Sequence, residues 1–341
     1  MALGPADPAR IDRRLHTPDK DWQNLEPEER PGQAVPVLPE GSDNVIFTLN
    51  SLTIEGMSAY TEEEVAGFYT SYIGQEIALS TLFDIMATLQ QKYLEDGYTI
   101  TKVFIPNQSI ESGAAKLVVV EGYVAEIDID PAILPAPIIA DTKRLILAMH
   151  PLNMLELERL ILLLNDLPDL NVSAVLAKLT PDAPEAIPSG AVRLRLQKNP
   201  EKYSYGEASF DNYGSVFLGP YEVSLTARAP HIGPNYSELT GSTVFTTSAN
   251  EQKYGYLQYD MPLFGASGTT LSLAASYAVT NPGDELKTLE IEGNSKSLIA
   301  NISHYLIRQR DESLAISASF EFKIPRQISC SRIFTTIANA S

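Results

Sequence analysis

The chain has 341 residues, which is long enough for several domains and a sizeable buried core. Its 43 acidic and 25 basic residues give a formal net charge of −18, and this balance argues against a nucleic-acid binder, which needs a basic surface to displace counterions. The single cysteine, Cys330, excludes an internal disulfide framework and a zinc site built from several cysteines. No apolar run reaches the roughly 18 residues of a transmembrane helix, but the alternating strands of a membrane β-barrel leave no such run and stay open as an interpretation.

Residues 1–44 are rich in proline and show little hydrophobic periodicity. No apolar segment of a secretory signal is visible there, so we expect either a cytoplasmic protein or a signal that lies outside this chain. A short helix is predicted around Pro8–His16, and Glu26–Asp43 is typical of an extended, proline-rich linker.

The pattern between residues 45 and 122, the first module, predicts a small α+β unit with the element order β-α-α-β-β. Val45–Gly56 is a predicted strand, and Thr61 with Glu64 has the spacing of a helix capping box. A second helix is predicted from Ser80, as its N-cap, to Gly97, which ends it as a C′ glycine. Further strands are predicted at Thr99–Pro106 and Lys116–Glu121.

Residues 123–199, the second module, repeat this order with little sequence identity, which predicts two similar units in tandem. A three-stranded sheet in each module leaves edge strands, and such an edge can bind an extended peptide as an added strand. The alternative is that these edges are ordinary blunted surface. The predicted elements are, in chain order, Tyr123–Asp130, Ile138–Met149, Leu152–Asn165, Val172–Leu179 and Val192–Gln197.

From residue 200 to 341 helical periodicity disappears, and apolar and polar residues alternate instead. The alternation is clearest in Tyr221–Ala229, Thr270–Val279 and Ser313–Lys323, each about as long as a tilted membrane strand. These runs predict an antiparallel all-β region, and the pattern alone leaves a soluble sandwich and a membrane barrel equally open. Weaker strands are predicted at Lys202–Asp211, Ser237–Ser248, Lys253–Met261 and Lys296–Ile307.

Several motifs resemble those of one known family. GYTITKVFIPNQSIESGAAKLVVVEG, residues 97–122, resembles the Gly-Tyr turn, the strand ending in Ile-Pro-x-Gln and the strand ending in Glu-Gly of a POTRA domain. The stretches 211–223, 256–273 and 294–314 resemble the first strands and turns of the barrel in the same proteins. Over about residues 45–325 the chain is therefore similar to the outer-membrane transporters of two-partner secretion, the ShlB/FhaC/HecB type.

The resemblance implies two tandem POTRA domains, at 45–122 and 123–199, followed at 200–341 by the N-terminal portion of an outer-membrane β-barrel. The chain has room for only part of that family's barrel, and the family's Arg-Gly-aromatic lumen motif does not occur in it. Its tail does not resemble the family either. We therefore expect a partial transmembrane β-barrel, from a truncated, fragmentary or frameshifted coding sequence.

The function that the resemblance implies is outer-membrane translocation. Periplasmic POTRA domains would capture an unfolded secreted partner protein of the haemolysin or adhesin type, and the barrel would pass it to the cell surface. The implied partners are this protein and outer-membrane lipid, with no nucleic acid, nucleotide or cofactor. Two alternatives stay open: a periplasmic POTRA scaffold that binds partners by strand addition, and a barrel insertase of the BamA type.

Candidate client-binding residues lie in the first module. They are Val103, Phe104 and Ile105 on a strand, with Gln90 and Tyr93 on the preceding helix. The alternative is that Val103 and Ile105 belong to the core.

Candidate barrel-motif residues are Asp211, Asn212 and Gly214 in the first strand turn, and Arg308 and Arg310 in the Leu-Ile-Arg-x-Arg turn. Arg308 is expected to project into the barrel interior or its turn, and the alternative is an ordinary charge at the rim.

Enzymatic readings find little support in the sequence. The four histidines are scattered without metal-ligand spacing, and the nucleotide-binding pattern G-x-x-x-x-G-K-[ST] does not occur. We therefore predict a protein that is not an enzyme, with no catalytic, cofactor-binding or metal-binding residues.

Overall fold

The computed structural model describes residues 41–110, 112–179, 190–199, 205–234, 236–248, 251–283, 286 and 292–328. The predicted helix at Pro8–His16, most of the linker, Lys202 and Cys330 lie outside the described residues.

The first module has a three-stranded sheet in the order β2-β5-β4, with β2 parallel and β4 antiparallel to the central strand β5. A separate strand pair, β1 with β3, joins the start of the module to the start of α2. The elements are β1 (Ile46–Thr48), β2 (Ser51–Glu55), α1 (Glu62–Ala66), β3 (Glu76–Ala78), α2 (Leu79–Glu95), β4 (Lys102–Phe104) and β5 (Ala114–Val120).

The predicted order of elements in this module is confirmed, with local corrections. The capping box of Thr61 and Glu64 is present, and Gly97 follows α2 with a left-handed φ of +93°. The single strand predicted at Val45–Gly56 is two strands, because Leu49 and Asn50 separate β1, which pairs with β3, from β2, which pairs with β5. Ser80 is not the N-cap of α2: the helix begins at Leu79, and Ala78 occupies the N-cap position without a side-chain hydrogen bond.

The helix α2 packs one face against the sheet because apolar residues recur on it at helical spacing. The buried residues of that face are Leu82, Ile85, Met86, Leu89 and Tyr93.

The second module repeats this architecture, with a sheet in the order β6-β8-β7 and two amphipathic helices on one side of it. Pro135 precedes α3, and the Asn153 side chain caps α4 by accepting hydrogen bonds from two backbone N–H groups of its first turn. The elements are β6 (Tyr123–Ile129), α3 (Ala136–Ala148), α4 (Met154–Asn165), β7 (Val172–Lys178) and β8 (Ala191–Lys198).

Seven antiparallel strands follow, each paired with its neighbours in sequence. The prediction of seven strands in series is confirmed, and each predicted strand overlaps an observed one. The strands are β9 (Gly206–Asp211), β10 (Glu222–Pro230), β11 (Glu238–Thr246), β12 (Gln252–Leu263), β13 (Thr269–Thr280), β14 (Glu292–Arg308) and β15 (Ser313–Ile328).

The register of this sheet collects the apolar residues on one face. Leu257 pairs with Ala275, Ala275 with Leu298, and Leu298 with Phe322, so that these side chains form a continuous row across four strands. Leu298 is 60% exposed and Phe322 is 53% exposed. The apolar face of the described strands is therefore not covered by a second sheet, as a soluble sandwich would require.

In the part of the chain that the structure describes, every helix is too short or too polar to cross a membrane.

A glutamine side chain completes the ladder between β4 and β5. Lys102 lies opposite Val120 and Phe104 opposite Val118, so the next antiparallel pair would place Pro106 opposite Lys116. Pro106 has no N–H to give, and the Gln108 carboxamide takes its place. Its Oε1 accepts from the Lys116 N–H at 2.7 Å, and its Nε2 donates to the Lys116 carbonyl at 2.8 Å. This pairing gives the Ile-Pro-x-Gln pattern a physical reason.

We predict that Gln108→Ala destabilises the first module by about 1–3 kcal/mol, because it leaves both backbone groups of Lys116 without a partner. Hydrogen exchange of β5 in the full chain, followed by mass spectrometry, measures the change. Gln91→Ala is the matched control, because Gln91 is exposed and, within the described part of the chain, its side chain bonds only to Glu95 at the surface. Equal exchange in the two variants would contradict the role of Gln108.

Candidate functional site

The predicted client-binding strand is only partly accessible. Val103 is 5% exposed and belongs to the core, and Ile105 is half-buried against the same core. Phe104 points the other way and is 42% exposed. The structure therefore supports the core alternative for Val103 and Ile105, and leaves Phe104 as the apolar side chain that this strand presents to solvent.

The two predicted helix residues have different surroundings. Tyr93 is fully buried, and its hydroxyl donates to the Glu121 carboxylate at 2.8 Å, so its prediction as a client-facing side chain is wrong. It lies on the apolar face of α2, where helical spacing places it with Leu89 and Met86. Gln90 lies beside β4, and its carboxamide bonds to the backbone of that strand.

Sequence reasoning missed the most connected polar group of the module, the carboxylate of Glu121. This residue is 9% exposed, and its carboxylate accepts hydrogen bonds from the backbone N–H groups of Ser58 and Ala59, both at 2.8 Å, from the Ser58 hydroxyl and from Tyr93. Burial opposes ionisation, but these four donors together hold the pKa of Glu121 below its usual range. Burial and the bond to Glu121 also raise the pKa of the Tyr93 hydroxyl.

Glu121 thereby ties the end of β5 to the loop before α1 and to α2. Gly122 must follow it, because a Cβ there would lie 2.4 Å from the Ile100 side chain. One feature of the sequence could have identified Glu121. It stands in a Glu-Gly pair at the end of an apolar strand, so its carboxylate directly follows a run of core residues.

We predict that Glu121→Gln lowers the free energy of unfolding of the first module at pH 7 by about 1.5–3 kcal/mol, because it removes charge-assisted hydrogen bonds. The folded-state pKa is depressed, so this stabilisation is present above the unfolded value of about 4.3 and is lost as the pH falls through the folded pKa. The difference between wild type and variant should therefore shrink in acid, as measured by hydrogen exchange of α2 and β5. A difference that does not change with pH would contradict the assignment.

The start of α4 joins the two modules, and Asn153 is the side chain at this junction. The Asn153 side chain donates to the Asp96 carbonyl at 2.8 Å while its oxygen accepts from the Leu155 N–H at 2.9 Å. The Met154 N–H donates to the Gly97 carbonyl at 2.8 Å. A Cβ on Gly97 would lie 2.6 Å from Asn153 Oδ1, so glycine is required there for contact as well as for its left-handed φ. The end of α2 and the start of α4 are thus one continuous polar junction.

Of the predicted barrel-motif residues, Asp211 is the last residue of β9, and Asn212 and Gly214 lie in the connection between β9 and β10. The Asp211 carboxylate accepts from the Tyr213 N–H at 2.9 Å, which forms a tight turn, and Asn212 is exposed. A Cβ on Gly214 would lie 2.1 Å from the Gly219 carbonyl oxygen. These residues therefore shape a hairpin connection, at the end of the sheet opposite the second module.

Arg308 holds the second module to the other end of the sheet. Its guanidinium donates twice to the Asp166 carboxylate, from Nε and Nη2, both at 2.8 Å. The two side chains are 16% and 23% exposed, and Arg308 also lies over the Tyr305 ring at 5.6 Å. Arg308 is the last residue of β14, so it lies at the turn to β15, as one part of the prediction had it. It is not the ordinary rim charge of the alternative, because it bonds to a specific residue of the second module.

Three further contacts join the helix α4 and its neighbours to the same end of the sheet. Arg310 forms an ion pair with Glu158, and Arg159 donates to the Tyr305 carbonyl at 3.0 Å. In the turn between β10 and β11, the Tyr236 hydroxyl donates to the carbonyl of Ile133 at 2.5 Å. The turns β10–β11 and β14–β15 thus form one docking surface for the second module.

We predict that Arg308→Gln weakens this docking by about 1–3 kcal/mol, because Asp166 loses a bidentate, partly buried partner. Arg308→Lys should fall between the variant and the wild type, because it keeps the charge but not the forked geometry. Arg310→Gln, whose side chain is 56% exposed, should cost less than about 1 kcal/mol. Hydrogen exchange of the last turn of α4 measures how much each of the three substitutions weakens docking. An equal effect of Arg308→Gln and Arg310→Gln would contradict the assignment.

Among the described residues, histidine, cysteine, aspartate and glutamate side chains form no group of three or more that could hold a metal ion.

The architecture defines a class: two POTRA-like modules docked on one end of an antiparallel sheet that is part of a β-barrel. Residues 47–122 match the family of POTRA domains of the ShlB type. The fold matches that of the solved structure of CdiB from Escherichia coli, with a TM-score of 0.71 at 17% identity over 96% of this chain and 61% of that chain. CdiB from Acinetobacter baumannii matches with a TM-score of 0.60 at 14% identity, over 96% of this chain and 64% of that one.

In sequence, the chain is similar to the heme/hemopexin transporter protein HuxB of Haemophilus influenzae strain 86-028NP. The two are 25% identical over 337 residues, which cover 94% of this chain and 56% of HuxB. The chain thus spans about half the length of the curated relatives it matches. The resemblance to the transporters of two-partner secretion is confirmed, and so is the predicted fold class of POTRA modules followed by a partial barrel. The relatives named here are transporters and not enzymes.

Proposed function

We propose that this chain is the periplasmic and first barrel part of an outer-membrane translocator of the two-partner secretion type. The modules bind an exported partner protein in an extended state, and the barrel passes it to the cell surface. The observation that carries the proposal is the division of the seven-stranded sheet into an apolar and a polar face, with POTRA modules fixed to one end.

The apolar face fits a lipid environment. β12 and β13 have 12 residues each, about 40 Å when extended, which spans roughly the hydrocarbon core of a bilayer at a tilt near 45°. Exposed apolar side chains on this scale are unusual for a water-soluble protein and argue against the periplasmic scaffold. The exposed apolar members of the face on β10 and β12–β15 include Leu225, Leu257, Leu273, Leu298, Ile302, Ile316, Phe320 and Phe322.

The polar face fits a hydrated pore wall. Ser272 on β13 donates to Asp260 on β12 at 2.5 Å, and Ser276 and Ser297 are hydrogen-bonded at 2.6 Å. Carboxylates outnumber basic side chains on this face. A polypeptide that passes along it therefore meets hydroxyl groups and a net negative charge rather than apolar contacts. The charged members by register are Glu207, Asp211, Glu222, Arg228, Glu238, Asp260, Arg308, Glu321 and Lys323.

The docking of the second module gives the sheet a direction. Arg308 and Tyr236 lie at the end that contacts the module, which is the periplasmic end. The hairpin of Asp211, Asn212 and Gly214 then lies at the cell-surface end. Tyr221 and Tyr277 are half-exposed near that end, as aromatic residues at a membrane interface are.

The test is disruption of the coding sequence in the organism that carries it. We expect a large exported protein to disappear from the medium or the cell surface, and complementation with the wild-type gene to restore it. Leu273→Arg should fail to complement, because a guanidinium in the middle of the lipid face costs about 2–4 kcal/mol. Ser272→Arg is the matched control, because it places the same charge one residue away on the polar face, beside Asp260.

Restoration by Ser272→Arg but not by Leu273→Arg supports the proposal. An unchanged set of exported proteins after disruption would overturn it.

A further inference from the structure

The outer edge of β4 carries a side chain that imitates a peptide group. The Val103 N–H donates to Gln90 Oε1 at 2.8 Å, and Gln90 Nε2 donates to the Thr101 carbonyl at 3.1 Å. A primary carboxamide offers one acceptor and one donor side by side, as the backbone of an added strand does. Gln90 therefore already occupies the hydrogen-bonding positions that an incoming strand would need on this edge.

The geometry of α2 explains how the side chain reaches them. Leu89 and Tyr93 hold this part of the helix against the sheet, and Gln90 follows Leu89 at the margin of the buried face, half-buried beside β4. The contact bridges a helix and a strand only 11–13 residues apart in sequence, so it forms whenever the helix is docked.

The same edge holds an unsatisfied polar atom. Thr101 is fully buried, and its Oγ1 has no hydrogen-bond partner among the described residues, although its carbonyl is bonded to Gln90. A buried hydroxyl without a partner is unfavourable, and a rearrangement of this edge would allow it to find one. Next to it, Phe104 is 42% exposed and offers an apolar contact to a strand that lies alongside.

We propose that Gln90 is a built-in competitor for the client site: it caps the edge of β4 in the free protein, and the extended backbone of the exported partner displaces it. This rests on the proposed function, since it names how the modules take up their client. One amide replaces another, so the exchange at Val103 and Thr101 is close to neutral, and net binding comes from additional backbone pairs and from Phe104. The cap also prevents edge-to-edge association of two copies of the module.

The experiment uses the full chain in detergent micelles and a fluorescent octapeptide of alternating threonine and valine with a lysine at each end. Gln90→Ala should accelerate hydrogen exchange of the Val103 amide in the free protein about tenfold, and tighten peptide binding by a factor of about 3–10, as expected for the loss of one competing hydrogen-bonded group. Gln91→Ala is the matched control on the adjacent residue, and it should change neither quantity.

Gln90→Glu provides a second variant if alanine perturbs the fold. It keeps an acceptor for the Val103 N–H but loses the donor toward Thr101, so its peptide affinity should lie between the wild type and Gln90→Ala. Unchanged exchange in β2 and β5 shows that the module stays folded.

Weaker peptide binding by Gln90→Ala would overturn the proposal, because it would make Gln90 a direct client contact. Equal binding in all variants would overturn it as well, because the edge would then not be the site. Neither result touches the translocator assignment, which the complementation experiment tests without reference to Gln90.

Discussion

The structure depends on one constraint: the backbone N–H and C=O groups along each strand have to be paired. A strand within a sheet satisfies this on both sides, and an edge strand does so on one. In the first module, two glutamine carboxamides supply backbone hydrogen bonds that the short strand β4 leaves unmade. Gln108 replaces the pair that Pro106 interrupts, and Gln90 covers the outer side. Between residues 206 and 328 the same requirement is met by neighbouring strands: seven antiparallel strands each pair with the strands next to them in sequence.

Buried charges determine how these units are held together. Glu121 joins three segments of the first module through hydrogen-bond donors, and no basic side chain of the described residues pairs with it. Arg308 and Asp166 join the second module to the sheet by a bidentate pair, which fixes orientation better than a single contact does. Between the two modules, Asn153 serves both as a helix cap and as a bridge. Both junctions lie on α4, with Asn153 at its start and Asp166 at its end.

The sequence predicts much of this fold, because helical spacing of apolar residues and strict alternation of apolar and polar residues are distinct patterns. Alternation in Thr270–Val279 and Ser313–Lys323 gives strands of the correct face and nearly the correct bounds. Short elements such as β3 were missed, since three residues carry no period. The site residues were harder to predict. The assignment of Tyr93 is wrong because the helical spacing that places it with Leu89 and Met86 puts it on the buried face of α2. Glu121 and Asp166 were overlooked because their importance comes from partners 28–142 residues away in sequence.

The central claim is that the apolar face of the sheet meets lipid and the polar face meets water. The most direct test reconstitutes the full chain with brominated phospholipid and measures tryptophan fluorescence. Each variant carries a single tryptophan, placed in turn at Leu271, Ser272, Leu273 and Ala274, and Trp22 is replaced by phenylalanine. The account predicts strong fluorescence quenching at 271 and 273 and weak quenching at 272 and 274. Quenching that is equal at all four positions, or that follows the opposite alternation, would contradict it.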